Sequence, residues 1–218
     1  DLMLNLPRQP YKSVKNELAM VKKISPEHIS WYSLILEEGS RFYALDKKGR
    51  LDLMEDDDEV DIFEEIIEEL NSFGLKRYEI SNFAKDGLES IHNKKYWEGV
   101  GYIAFGMSGS GYLSNYRYTN TRNFIHYNKN IVKNKLPIDY ISYIDSKERE
   151  KEYIIFKLRE VEGINLKEFE NIFGHSLLEK YSEIVEKFYR EGFFEIDKNL
   201  RFTHKGFDLS NEFYIEII

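Results

Sequence analysis

Apolar and polar residues alternate with a period that changes several times along the chain, and each change predicts an element. "DLMLNL", residues 1–6, is a short apolar run closed by Pro7 and reads as a strand. Pro10 then opens a helix in which Val14, Leu18 and Val21 recur at i, i+4 and i+7, a single buried stripe. "HISWYSLIL", beginning at His28, is a second, partly β-branched run suited to a buried parallel strand. Turns around Gly39 and Gly49 lead to "EDDDEVDIFEEIIEELNSFG", where Val60, Phe63, Ile67 and Leu70 make the stripe and Gly74 ends the helix. "RYEIS" supplies a third strand. Strand, helix, strand, helix, strand is the grammar of parallel βα units, here a cut-open barrel or a doubly wound sheet covered by helices.

The middle, residues 87–140, has a different texture. "YIAFGMSGSGYLSNYRYTN" predicts a strand, a tight glycine passage and a hairpin turning at Ser114-Asn115, followed by a helix over 121–133. Glycines this dense serve simple turns or let backbone approach a ligand closely, and both readings stand. From Ser146 the pattern is three helices, two short strands and a helix. The third helix carries Leu177, Tyr181, Ile184, Val185 and Phe188 and stops at Gly192. "FFEI" and "LRFT" flank Asp197-Lys198-Asn199 as a hairpin, so the order matches a winged helix-turn-helix.

Charge changes what that last module is expected to do. Residues 147–218 hold 12 Lys and Arg against 16 Asp and Glu, and Glu179, Glu183 and Glu186 sit on the third helix. Such a face repels phosphates, which predicts a structural or protein-binding module and no nucleic acid. The whole chain, 218 residues with a net charge of −8, is likewise no polyanion binder. No apolar run approaches the ~18 residues that would span a bilayer, so no membrane helix is expected and the expected location is the cytoplasm. "EDDDE" at 55–59 favours the helix dipole and lacks the glycine and spaced oxygens of a calcium loop. Cysteine is absent, which removes disulfides, thiolate nucleophiles and the usual ligands of an iron–sulfur cluster. The chain opens at Asp1 directly on a strand, without an initiator Met or leader, and reads as a piece of something longer. Its first strand would then have an open edge, expected to favour self-association.

Candidate chemistry is sparse. His28, His126, His175 and His204 stand singly, with no second ligand at metal spacing, and read as structural histidines; no metal site and no catalytic residue is predicted. "ESIHNKKYWEG" differs, because His92 and Asn93 precede the Tyr96-Trp97 pair by one helical turn. A capped turn with its rings in a core is one reading, and on spacing alone the commoner one. The other is a wall for a flat aromatic ligand with an imidazole beside it, since imidazole ligates haem iron and Tyr and Trp faces stack on porphyrins.

"DLMLNLPRQP", "ISWYSLILEEGSRFY", "YEISNFA", "SIHNKKYW", "YIAFGMSGSGYL" and "LRFTHKGFDLSNEF", in that order, resemble the radical S-adenosylmethionine family, specifically the oxygen-independent coproporphyrinogen III oxidase-like group known as HemW-type haem chaperones. The resemblance implies an α/β fold: residues 1–140 as the C-terminal half of a split βα barrel plus the haem-motif region, and 146–218 as a small, mostly helical, winged-helix-like domain. It implies haem contact by His92, Asn93, Tyr96 and Trp97, and contact with S-adenosylmethionine by Asp1, Ser33 and Ser110. The family's [4Fe-4S] cluster is held by a three-cysteine motif that this chain lacks, so the chain alone is expected to be inactive as a radical enzyme. Leu4, Asn5 and Arg8 stand where the family usually has Tyr, Gly and Gly. The implied function is haem binding and delivery to apo-haemoproteins, with oxidative decarboxylation of coproporphyrinogen III as the alternative.

Overall fold

The computed structural model describes residues 1–217, which divide after Ser90 into two compact units. The division precedes the expected boundary at 140–146.

In the first unit the strand and helix signals resolve as β1 (Leu2–Leu4), α1 (Tyr11–Ile24) and β2 (His28–Ser33). The two strands pair in parallel, Leu2 opposite Trp31 and Leu4 opposite Ser33, so the first βαβ step is present. A short helix α2 (Arg41–Asp46), started by the Ser40 cap, fills the stretch between the two glycine turns; no sequence signal predicted it. In α3 (Asp56–Ser72) the buried residues are Ile66, Ile67 and Leu70, while Val60 is 39% exposed. The stripe is therefore shifted by a partial turn from the one expected, with Ile66 at its centre.

Beyond α3 the chain departs from the expected parallel pattern. "RYEIS" is not one strand: β3 (Lys76–Arg77) ends as it begins, and the chain reverses into β4 (Asn82–Ala84). The carboxylate of Glu79, buried in the reversal, accepts from Ser81 N at 2.9 Å, and Arg77 Nε donates to Ile80 O at 2.9 Å. Four residues cannot make the crossover a parallel neighbour needs. Accordingly β4 pairs antiparallel with both β3 and β2, and the sheet order is β1-β2-β4-β3. Leu4, Trp31, Ile66, Leu70 and Phe83 form the core between sheet and helices, and β1 is an edge strand.

Where the resemblance places glycines, the backbone is left-handed: φ is 60° at Asn5 and 59° at Arg8. Asn5 tolerates this conformation, and its buried amide is used, accepting from Met54 N at 2.7 Å and donating to Glu59. Arg8 has no such compensation, since its 4.0 Å ion pair with Asp52 is fully solvent-washed. Arg8→Gly is expected to stabilise the first unit by about 0.5–1 kcal/mol, read as a higher urea midpoint; a lower midpoint would contradict the assignment of strain.

The second unit starts with α4 (Ile91–Trp97). The expected strand at "YIAF" is reduced to a single bridge between Tyr102 and Tyr112. The hairpin is as predicted: β5 (Ser110–Leu113) and β6 (Tyr116–Asn120) turn at Ser114 and Asn115, with φ of 51° and 66°. Two consecutive left-handed residues match the right-handed twist of a hairpin. After α5 (Phe124–Val132), β7 (Ile138–Tyr143) returns to pair with β6, a third strand not signalled by the sequence pattern.

The remainder contains α6 (Ser146–Lys157), β8 (Ile164–Asn165), α7 (Leu166–Phe173), α8 (Leu177–Lys180) and α9 (Ser182–Arg190), then β9 (Phe194–Ile196), β10 (Asn199–Phe202), α10 (His204–Asp208) and α11 (Ser210–Ile217). The expected third helix is two, broken at Tyr181, and the expected hairpin gains β8 as a third antiparallel strand in the order β8-β10-β9. Phe169, Phe188, Phe193, Leu200 and Phe213 are fully buried at the centre of this core. Among the described residues no helix is long and apolar enough to cross a membrane.

Candidate functional site

The four residues of "HNKKYW" lie on one short helix, and helical geometry sorts them into two pairs. Residues four apart share a face, so His92 stands under Tyr96, and Asn93 under Trp97 about 100° further round. The imidazole meets the Tyr96 ring edge-on, with centroids 4.9 Å apart and planes at 89°. Tyr96 continues the stack to Tyr102, 4.7 Å away at 75°. Trp97 turns toward α6, where Phe156 lies at 6.2 Å and the Arg159 guanidinium sits 5.2 Å above the indole. His92 itself is exposed, whereas Asn93, Tyr96 and Trp97 are half-buried. The imidazole is thus held against a ring on an exposed residue; it is not sealed into a core.

Beside these rings the second unit has a cleft of about 800 Å³, within the usual range for small-molecule sites. Its aromatic walls are Tyr96, Trp97, Tyr102, Tyr112, Tyr153 and Phe156. His92 is not in the lining and stands one helical turn outside it. Burial raises the Tyr102 phenol above its ordinary range, despite Arg117 nearby. Burial, together with the charges of Glu168 and Glu160, pushes Tyr153 up to about 12. Both phenols therefore stay neutral at physiological pH and act as apolar walls with a polar tip. The Trp97 indole nitrogen is buried, with no hydrogen-bond acceptor among the described residues. Stacked rings beside an imidazole have the chemistry to meet a flat aromatic ligand.

The glycine-rich passage lies between Tyr102 and Tyr112, two residues of the cleft wall. Ala104 N donates to the Tyr118 hydroxyl at 3.0 Å and Gly106 N to that of Tyr127 at 3.1 Å. A side chain at Gly111 would overlap the Tyr118 ring, with a Cβ only 2.3 Å from it. Glycine here makes room for tyrosine, which favours the packing reading of this stretch.

Of the three residues implied for S-adenosylmethionine, the two in the first unit are not gathered at a common point. Asp1 and Ser33 lie at opposite ends of the β1–β2 pair, since Leu4 at the far end of β1 is the partner of Ser33. Ser110 is exposed in the second unit, its hydroxyl 3.0 Å from that of Thr119 across the hairpin. Ser33 alone is at the carboxyl end of a parallel strand, the end at which such sheets bind ligands. Among the described residues no three His, Asp or Glu side chains converge on a metal-sized point. With no cysteine, the chain has no thiolate for a cluster.

Comparisons with known proteins bear on the same residues. Residues 144–209 match the HemN C-terminal domain. The chain is 32% identical over 215 residues to the heme chaperone HemW of Bacillus subtilis, covering 98% of this chain and 57% of that protein. The HemW of Lactococcus lactis is also 32% identical over 215 residues, covering 98% and 56%. Over nearly its whole length the chain is similar to part of these HemW proteins. It spans a little over half the length of these HemW relatives. The fold is that of the radical SAM enzyme coproporphyrinogen III oxidase (HemN) from Escherichia coli, with a TM-score of 0.79 over 100% of this chain and 54% of that one, at 14% identity.

Sequence reasoning found the HemW motif helix but missed the cleft it borders. Tyr153 and Phe156 of α6 and Tyr112 of the hairpin carry no local signal of a site. They share a space with Trp97 only because α6 packs against α4.

Proposed function

We propose that the chain provides the haem-binding region of a chaperone that carries haem to apo-haemoproteins. His92 ligates the iron or lies directly against it, Tyr96 and Trp97 form the stacking wall, and Asn93 orients the helical turn or a propionate. The observation that carries this reading is the exposed imidazole held edge-on by Tyr96 at the border of an aromatic cleft. An imidazole on an exposed residue is a ready iron ligand, and flat rings beside it gain contact area with a porphyrin. The relatives named as heme chaperones support the same function. Likeness to HemN is limited to the C-terminal domain match and to a shared fold at 14% identity, so the decarboxylating oxidase fits less well.

In this reading β1, α1 and β2 belong to a split βα barrel, and residues 146–218 form a winged-helix-like module used for packing. S-adenosylmethionine and a [4Fe-4S] cluster serve the whole protein, and the cluster's thiolates come from outside these 218 residues. Ser33, at the carboxyl end of β2, is the retained candidate for S-adenosylmethionine contact.

The test is haem titration of the chain, followed at the Soret band. Wild type is expected to give a saturable Soret shift, and His92→Ala to weaken binding at least about tenfold, a loss of ~1.4 kcal/mol. Absence of a shift in wild type, or an unchanged shift in the variant, would overturn the reading.

A further inference from the structure

Three cations, Arg117, Arg149 and Lys157, line the aromatic cleft together with the carboxylates Glu98, Glu152 and Glu168, and stacking and iron ligation leave the cations unused. Along α6, Arg149, Glu152, Tyr153, Phe156 and Lys157 recur at i, i+3, i+4, i+7 and i+8 and so form one stripe. All five line the cleft, while Glu150, Ile154 and Leu158 on the other face enter the core. The hairpin brings Arg117 to this stripe, 2.9 Å from Glu152. Lys157 is 3.2 Å from Glu160. Arg149 differs, being exposed and without an acidic partner among the described residues.

A purely apolar ligand gains nothing from such a wall. The arrangement suits a flat aromatic body that ends in carboxylates. Rings exclude water from its faces, and guanidinium groups at the rim take the acids in the two-pronged geometry that arginine favours. Of the three cations Arg149 has the full capacity to bind, because Arg117 and Lys157 already share their charge with a glutamate.

We propose that this wall is a carboxylate clamp, in which Arg149 holds one acidic side chain of a planar tetrapyrrole stacked on Tyr96 and Trp97, and Arg117 meets a second. The clamp rests on the haem reading and adds what that reading lacks: selection for the free acid form of the porphyrin, independent of iron. Arg117 must loosen its pair with Glu152 to take part, so Arg149 carries the larger share.

The test uses metal-free protoporphyrin IX and its dimethyl ester, titrated into the 218-residue chain and followed by porphyrin fluorescence. The diacid is expected to bind about tenfold tighter than the ester, one charge-assisted contact's worth. Arg149→Ala is expected to remove most of that preference by weakening the diacid alone, and Arg149→Lys to restore part of it. Because Arg149 is exposed and outside the core, the variant keeps the fold. Equal affinity for diacid and ester, or equal weakening of both by Arg149→Ala, overturns the clamp. The Soret titration with iron present separates the two claims. An Arg149-dependent preference without a His92-dependent Soret shift upholds the clamp and removes iron ligation; the reverse result removes the clamp alone.

Discussion

Gly163→Ala is expected to destabilise the second unit by about 3 kcal/mol or more, through strain and overpacking together. Gly163 has φ of 67°, a conformation that L side chains rarely adopt. A Cβ there would lie 2.2 Å from the Leu200 carbonyl oxygen and 2.7 Å from Arg201 Cβ. The obstacle is chiefly backbone and cannot swing aside. Gly163 immediately precedes β8, and β10, which it would strike, holds both β8 and β9. Pushing β10 away also unseats Leu200 and Phe202 from the phenylalanine core. The result would be seen as a lowered urea midpoint with loss of near-UV aromatic signal. An unchanged midpoint would show that the tight approach of these strands is not needed.

The second large effect concerns a buried charge. Glu150 on α6 is 4% exposed, and both its oxygens are bound by Lys180, at 2.8 and 3.0 Å. Tyr181 donates its hydroxyl to the same carboxylate at 2.8 Å, and the His175 ring nitrogen is 3.2 Å away. This demand on Tyr181 accompanies the break between α8 and α9, which the apolar stripe alone did not predict. Glu150→Ala is expected to cost about 1–3 kcal/mol, because it removes the acceptor shared by Lys180, Tyr181 and His175 and leaves a gap beside the core. Burial by itself would raise the Glu150 carboxyl, but the hydrogen bonds from Lys180, Tyr181 and His175 outweigh it and hold the group below its ordinary 4.5. The folded state therefore binds this proton less readily than the unfolded state. The stabilisation is complete above about pH 4.5 and is lost as pH falls through the lower folded-state value. Urea midpoints measured from pH 6 to pH 3 should fall more steeply for wild type than for Glu150→Gln; parallel curves would refute the linkage.

These cases show where local pattern reaches and where it stops. The α1 stripe of Val14, Leu18 and Val21 was legible and is buried as read, because a one-faced helix has few ways to pack. Ser114 and Asn115 were legible too, since a two-residue hairpin turn demands left-handed backbone, which Asn in particular tolerates. The antiparallel course of β4 was not: it depends on Glu79 being buried in the reversal, and an acidic residue in a strand-like run gives no hint of that. The same holds for β7, a strand that exists because β6 offers it an edge.

For the site, the chain alone determined that an imidazole and two rings share one short helix, because spacing of three to five residues fixes neighbours on a helix wherever it is placed. It equally determined that no thiolate is at hand. Only the tertiary structure decided that Trp97 faces Phe156 and Arg159, that the hairpin carries Arg117 to Glu152, and that a cleft opens between them. Those partners are separated in sequence by dozens of residues. What brings them together is burial of the rest of α6 in a core some way off, which no local period encodes.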